Sequence, residues 1–235
     1  MGIPSLPPWT YDPVQAIHIQ DAMRQRLILD WDNRDIARVG GIDFSFTGGT
    51  VFAAIAIFAY PSLELIEQVS GDAPAVFPYI SGLLTFRVAP AILAAWEKLR
   101  HKPDLIMVHG HGIAHPRRMG LASHLGLRLD LPAIGIARTR LYGRETEAGP
   151  NKGDWSELLD EKSPHQVIGA VLRTRPACRP VYVSPGHLVD LQHSVDIVLS
   201  CCSTYRIPIP LRMAHKLSAE QRPPMQLNRE TSMSI

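Results

Sequence analysis

The run Asp104-Leu-Ile-Met-Val-His-Gly-His-Gly-Ile-Ala-His-Pro-Arg-Arg118 passes directly from a short apolar segment into a loop dense with chemistry. Residues 104–108 are too short and too uniformly apolar for a surface helix, so they read as a central strand buried on both faces. The loop then offers His109, His111, His115, Arg117 and Arg118, with Gly110 and Gly112 between them to let the backbone approach a ligand closely. The carboxyl end of a central strand is where open α/β sheets bind their ligands, and a site is expected there.

Working outward, Arg38 to Phe46 reads as a strand, Gly48-Gly49 as a hairpin turn, and Thr50 to Tyr60 as an almost wholly apolar strand for the middle of a sheet. Leu63 to Ser70 completes a three-stranded antiparallel meander. Upstream, Asp12-Pro13 gives an N-cap and first-turn proline for an amphipathic helix to about Leu29. Residues 71–87 are less regular, and a helix is expected over 90–102, opened by Pro90. Downstream come a short helix near 120–127 and a strand over 133–137. A polar surface excursion follows over 144–164, then strands over 167–172 and 181–184. A helix capped by Asp190 and a short helix over 211–217 end the pattern. The fold class implied is α/β: a mixed sheet, its antiparallel meander extended by parallel strands, with helices on both faces. One domain over residues 12–220 is expected, with a flexible arm over 1–11 and a disordered tail over 221–235.

Composition narrows the function classes. With 235 residues and 46% hydrophobic content the chain can bury a full core. Its formal charge of +2 leaves nucleic-acid affinity to local clusters, of which Arg117/Arg118, Arg138/Arg140/Arg144 and Arg173/Arg175/Arg179 are candidates. Three cysteines form neither a disulfide framework nor a zinc-type spacing, so a reducing cytoplasm is expected. No apolar run approaches membrane-spanning length, and a monomer without membrane contact is expected.

Asp43 stands in the otherwise apolar or small run Gly41-Ile42-Asp43-Phe44-Ser45-Phe46. A buried carboxylate there is costly unless it is paired or bound to a cation, although an Asp near a strand end also accepts hydrogen bonds from a turn. Asp104 begins the same strand that ends at His109, about 16 Å away at the usual rise, and cannot join a site at the other end.

Residues 109–143, HGHGIAHPRRMGLASHLGLRLDLPAIGIARTRLYG, resemble the core of the endonuclease V family, nucleases that recognise deaminated adenine. GGIDFSF at 40–46, FPYISGLLTFR at 77–87 and SPGHLVD at 184–190 agree with it in order. The resemblance implies a ribonuclease H-like fold and hydrolysis of the second phosphodiester bond 3′ to deoxyinosine, or to inosine in RNA, with Mg2+ or Mn2+ as cofactor. It makes Asp43 the first metal ligand, and it places Val88 and His109 where the family carries a Glu and a second Asp. Val88 has no ligand atom, and the neutral nitrogen of His109 suits transition metals better than magnesium. By the same resemblance His187 is the late catalytic histidine and Arg138 replaces a lysine near the cleaved backbone. Tyr79 is the wedge that fills the stack, and Gly82, Gly110 and Leu141 line the base pocket; read from their own chemistry, His115 and Arg117 either meet nucleic acid or stabilise the loop. Two functions remain open: a metal-dependent nuclease of DNA repair, or a catalytically impaired homologue that binds inosine-containing strands without cutting them.

Overall fold

The computed structural model describes residues 9–221. Helix α1 (Pro13–Arg24) opens as its sequence directs: the Asp12 carboxylate accepts from Val14 N at 2.9 Å. It stops at Arg24, short of Leu29, because the backbone of Ile28 is used elsewhere. Ile28 O accepts from Leu188 N at 2.6 Å, and Ile28 N donates to His187 at 3.2 Å. Of the expected arm, residues 1–8 lie outside the described region; Trp9 packs its ring 5.2 Å from Phe86 and 5.7 Å from His124. The expected tail beyond Gln221 also lies outside it.

The meander is β1 (Arg38–Thr47), β2 (Thr50–Ala59) and β3 (Leu65–Pro74). Helix α2 (Leu84–Glu97) follows, and it differs from the expected 90–102 helix because Pro90 lies inside it. The preference of proline for a first turn is overridden here by burial of Phe86, Val88 and Ala89, each at most 1% exposed. Then come β4 (Leu105–His109), α3 (Leu121–Leu129) and β5 (Ala133–Ala137). The polar stretch read as an excursion holds two strands, β6 (Arg144–Glu145) and β7 (Trp155–Leu159). They form the outer edge of the sheet, so their faces are largely solvated and their residues look like loop. The chain closes with β8 (Val167–Leu172), β9 (Val181–His187), α4 (Leu191–Ser200) and α5 (Ile209–Glu220).

All nine strands join one sheet in the order β3-β2-β1-β4-β5-β9-β8-β7-β6. The parallel run is β1, β4 and β5; on both sides of it the pairing is antiparallel. Alternation along β4 shows why it reads as continuously apolar. Leu105 and Met107 pack with Val39 and with Leu211 and Ala214 of α5, whereas Ile106 and Val108 pack with Ile42 and the α2 and α3 side chains. Helices α4 and α5 therefore cover one face, and α2 and α3 the other.

Candidate active site

Ile42 pairs with Val108 across β1 and β4, so Asp43 and His109 are the next residues on neighbouring parallel strands at their carboxyl ends. His109 Nδ1 lies 2.9 Å from Asp43 Oδ1. The other carboxylate oxygen, Oδ2, lies 2.9 Å from Nδ1 of His215, which α5 carries. The backbone N of Phe44 also donates to Oδ1 at 2.7 Å. The Asp43 side chain is 3% exposed beneath two imidazoles that are 30% and 45% exposed. These three residues are the one group among those described whose donor atoms, all within 4.8 Å, have the spacing to hold a metal ion.

Helix α5 reaches this position because β1 has glycine at 41. A Cβ there would stand 2.2 Å from the C and O of Pro210, so only glycine lets the helix start lie flat on the strand. Ser45 Oγ then donates to Ser218 O at 2.7 Å and fixes the far end of the helix on the same strand.

Val88 is fully buried in the core on the α2 side and supplies packing without a ligand atom. The donor set is thus one carboxylate and two imidazole nitrogens. Magnesium demands near-octahedral oxygen coordination and does not fit it.

The structure does not bring His187 to Asp43. β9 runs antiparallel to β5, so His187, at its carboxyl end, is level with Ala133 at the start of β5, at the opposite end of the sheet from His109. There its Nδ1 accepts the Ile28 amide, and burial pushes its pKa down, favouring the neutral acceptor. β4 runs parallel to β5 and β9 antiparallel to it, so the residues that end β4 and β9 lie at opposite ends of the sheet. His215 was missed, although one signal was available. It falls on the stripe of α5 that buries Leu211, Ala214 and Ser218, where a histidine needs a partner.

One peptide bond beyond His109, a cavity of about 170 Å³ opens, lined by Tyr79, Gly82, Gly110, His115, Leu141 and His111. It gathers five of the six residues expected to meet the base or the strand, all but Arg117. Tyr79 stands at its mouth, 77% exposed. Gly82 O is clamped by three donors: Gln20 Nε2 at 2.9 Å, His115 Nε2 at 2.9 Å and Arg117 Nη2 at 3.0 Å. Arg117 Nε also donates to Gln20 Oε1 at 2.6 Å. His115 and Arg117 therefore hold the pocket wall, and Gln20, which carries no motif, completes the clamp. Burial drives the His115 pKa down to about 4, so the ring is neutral, donating from Nε2 and accepting the Arg117 amide at Nδ1. The same cause brings His111 to about 4.

Gly112 makes its close approach to protein: a Cβ would meet Pro185 O at 2.0 Å. Gly112 N donates to Ser184 Oγ at 2.8 Å, and this locks the loop onto β9. Arg118 is likewise committed inward, to Asp160 at 2.5 Å and Gln166 at 2.8 Å. Arg138 follows β5 and is exposed. With Arg140, Arg173 and Arg179 it lines a basic cavity of about 760 Å³, which joins two clusters that are separate in sequence.

The sheet order, with helices on both faces, is a ribonuclease H-like fold. The chain belongs to the endonuclease V family, whose model matches residues 21–216. It is 43% identical over 217 residues to the endonuclease V of Trichormus variabilis, covering 91% of this chain and 97% of that one. The crystal structure of endonuclease V from Streptomyces avermitilis superposes with TM-score 0.85 at 36% identity, covering 90% of this chain and 93% of that chain. Endonuclease V from Ciona intestinalis, in complex with a 24mer DNA containing an inosine followed by a ribo-adenosine, shares the fold with TM-score 0.75 at 23% identity, covering 88% and 96%. The family is metal-dependent, which gives the Asp43 group its interest. Among the described residues no helix is long and apolar enough to cross a membrane.

Proposed function

We propose that this protein recognises deaminated adenine, as deoxyinosine in DNA or inosine in RNA, in the service of nucleic-acid repair or turnover. One observation carries the reading: a small cavity roofed by an exposed aromatic opens directly beside a carboxylate-imidazole cluster at the end of the central strand. A base taken out of the stack needs both a closed pocket and something to fill the gap it leaves. Gly82, Gly110 and Leu141 supply backbone and apolar surface for the base, and Tyr79 supplies the wedge. The cavity around Arg138 offers the exposed guanidiniums of Arg138, Arg140 and Arg179 to the phosphates of a strand. The inosine-containing DNA seen with the Ciona relative supports the same ligand class. Free thiols at all three cysteines support a reducing compartment such as the cytoplasm.

The family reaction is hydrolysis of the second phosphodiester bond 3′ to the altered base. A second reading, binding without cutting, is favoured by the state of Asp43. Both of its oxygens are already engaged by imidazoles, and position 88 contributes no donor. A labelled strand with a single inosine separates the two readings. Binding is measured by fluorescence anisotropy in EDTA, and cutting is measured after adding Mg2+ or Mn2+, for the native chain and for His109→Asp alone and with Val88→Glu. Preference for the inosine strand over its adenosine twin is expected of every variant that folds. Equal affinity for both strands would refute recognition. Cutting by the variants alone would establish the binding-only reading.

A further inference from the structure

The disagreement between magnesium and the Asp43 site has a positive side. We propose that Asp43, His109 and His215 form a two-histidine, one-carboxylate site for a first-row transition-metal dication, in place of the hard-cation site that the family's oxygen ligands build. The proposal concerns the metal class at the site just described, and it does not depend on the identity of the base bound nearby.

Three features argue for it. First, the donors come from three separate elements, β1, β4 and α5, and converge within 4.8 Å. Second, the spacings suit coordination. Two ligands bound at right angles with bonds of about 2.1 Å stand roughly 3 Å apart, and both imidazole nitrogens lie 2.9 Å from an oxygen of the same carboxylate. Third, the chemistry of the set is selective. Neutral imidazole suits zinc, copper, iron and nickel, with cobalt between iron and nickel in the affinity order, and two imidazoles with one carboxylate on one side of an ion leave its remaining positions open. Magnesium, which dehydrates reluctantly and prefers oxygen, gains little from nitrogen donors. Asp43 is the anchor: its carboxylate is buried and carries the single negative charge of the trio, and the Phe44 amide orients it.

The test is a titration of the full-length protein, stripped with EDTA and free of nucleic acid, with Co2+ followed by its visible d–d absorption. One equivalent should bind, be displaced by Zn2+, and survive a large excess of Mg2+. Asp43→Asn, His109→Ala and His215→Ala should each weaken cobalt affinity by at least about tenfold, in the range seen when metal-site partners are removed. His109→Asp, which restores an oxygen ligand, should let Mg2+ compete. The proposal is overturned if no d–d band forms, in which case the trio is a hydrogen-bonded cluster only. It is equally overturned if Mg2+ displaces cobalt from the native chain at equimolar concentration, or if the band persists in all three ligand variants or carries the intense charge-transfer absorption of thiolate ligands. Inosine-strand binding in EDTA is scored separately, so a failed titration with intact strand binding removes the metal site and leaves the recognition reading standing.

Discussion

His215 Nδ1 lies 2.9 Å from Asp43 Oδ2 although 172 residues separate the two in the chain. The contact exists because α5 lies flat on β1, and the flat seat exists because residue 41 has no side chain. Gly41→Ala puts a methyl group into the Pro210 backbone and forces the helix to move. Overpacking of this kind costs about 1–3 kcal/mol, equivalent to a fall in Tm of roughly 2–12 °C for a domain of this size. Thermal unfolding followed by circular dichroism measures it. An unchanged Tm would show that the helix is not seated as described.

His187 is an anchor for the segment after α1, and its role is testable by contrast. His187→Ala removes the acceptor of the Ile28 amide. A loss of about 1 kcal/mol in urea unfolding is expected, as for one buried hydrogen bond. Affinity for an inosine strand should stay within about twofold. A large loss of binding with unchanged stability would return His187 to the site.

Much of this architecture was legible in the sequence, and the misses have physical reasons. β4 and its loop were readable because a strand buried on both faces must be apolar throughout and because histidines, glycines and arginines crowd its carboxyl end. Asp43 was readable because a carboxylate in an apolar strand requires a partner. The partner itself was not, since His215 arrives on a helix whose docking depends on one glycine far away in sequence. α2 was misplaced because Pro90 imitates a helix start, and β7 was missed because a strand next to the sheet edge, flanked there only by the two-residue β6, has half-solvated faces and is polar. The inward contacts of His115 and Arg117 were not legible for a related reason: a cation beside a proline loop looks like a phosphate ligand until its carbonyl partner, Gly82 O, is seen.

Arg117 offers a sharp discrimination on that point. A residue that neutralises a phosphate contributes about one to the slope of log K against log salt. Arg117 directs Nη2 to Gly82 O and Nε to Gln20 Oε1, which turns this edge of the guanidinium inward. Arg117→Ala should therefore weaken inosine binding several-fold, about 1 kcal/mol, through a loosened pocket wall, while the salt slope stays unchanged. A slope reduced by one unit would assign the guanidinium to the nucleic-acid backbone instead.

Tyr79 is 77% exposed, so the protein gives up little stability if its ring is removed. Stacking a base on an aromatic ring is worth about 1–3 kcal/mol. Tyr79→Ala should leave Tm within about 1 °C and lower inosine affinity at least about fivefold, with Tyr79→Phe close to the native chain. Anisotropy titrations of the three proteins check this, and equal affinities would remove the wedge.

Acid should unfold this protein early, because several of its histidines are folded in the neutral form. His124 is 1% exposed against Trp9 and Phe86, and burial pushes its pKa down to about 3. His111 and His115 are pushed to about 4 by the same desolvation. In the unfolded chain each returns to about 6.5. Between these values the unfolded state binds protons that the folded state refuses, so stability is complete above about pH 6.5 and falls as the pH drops toward 4. Each such group contributes a slope approaching 1.4 kcal/mol per pH unit, and three acting together consume a typical stability of 5–15 kcal/mol within a few units. Urea midpoints between pH 7 and pH 5 should therefore fall steeply. His124→Met, which keeps an apolar side chain in the same cavity and removes one titrating group, should make the fall shallower by about a third. A midpoint independent of pH over this range, or an identical slope in the variant, would mean that these rings find protonated partners in the folded chain.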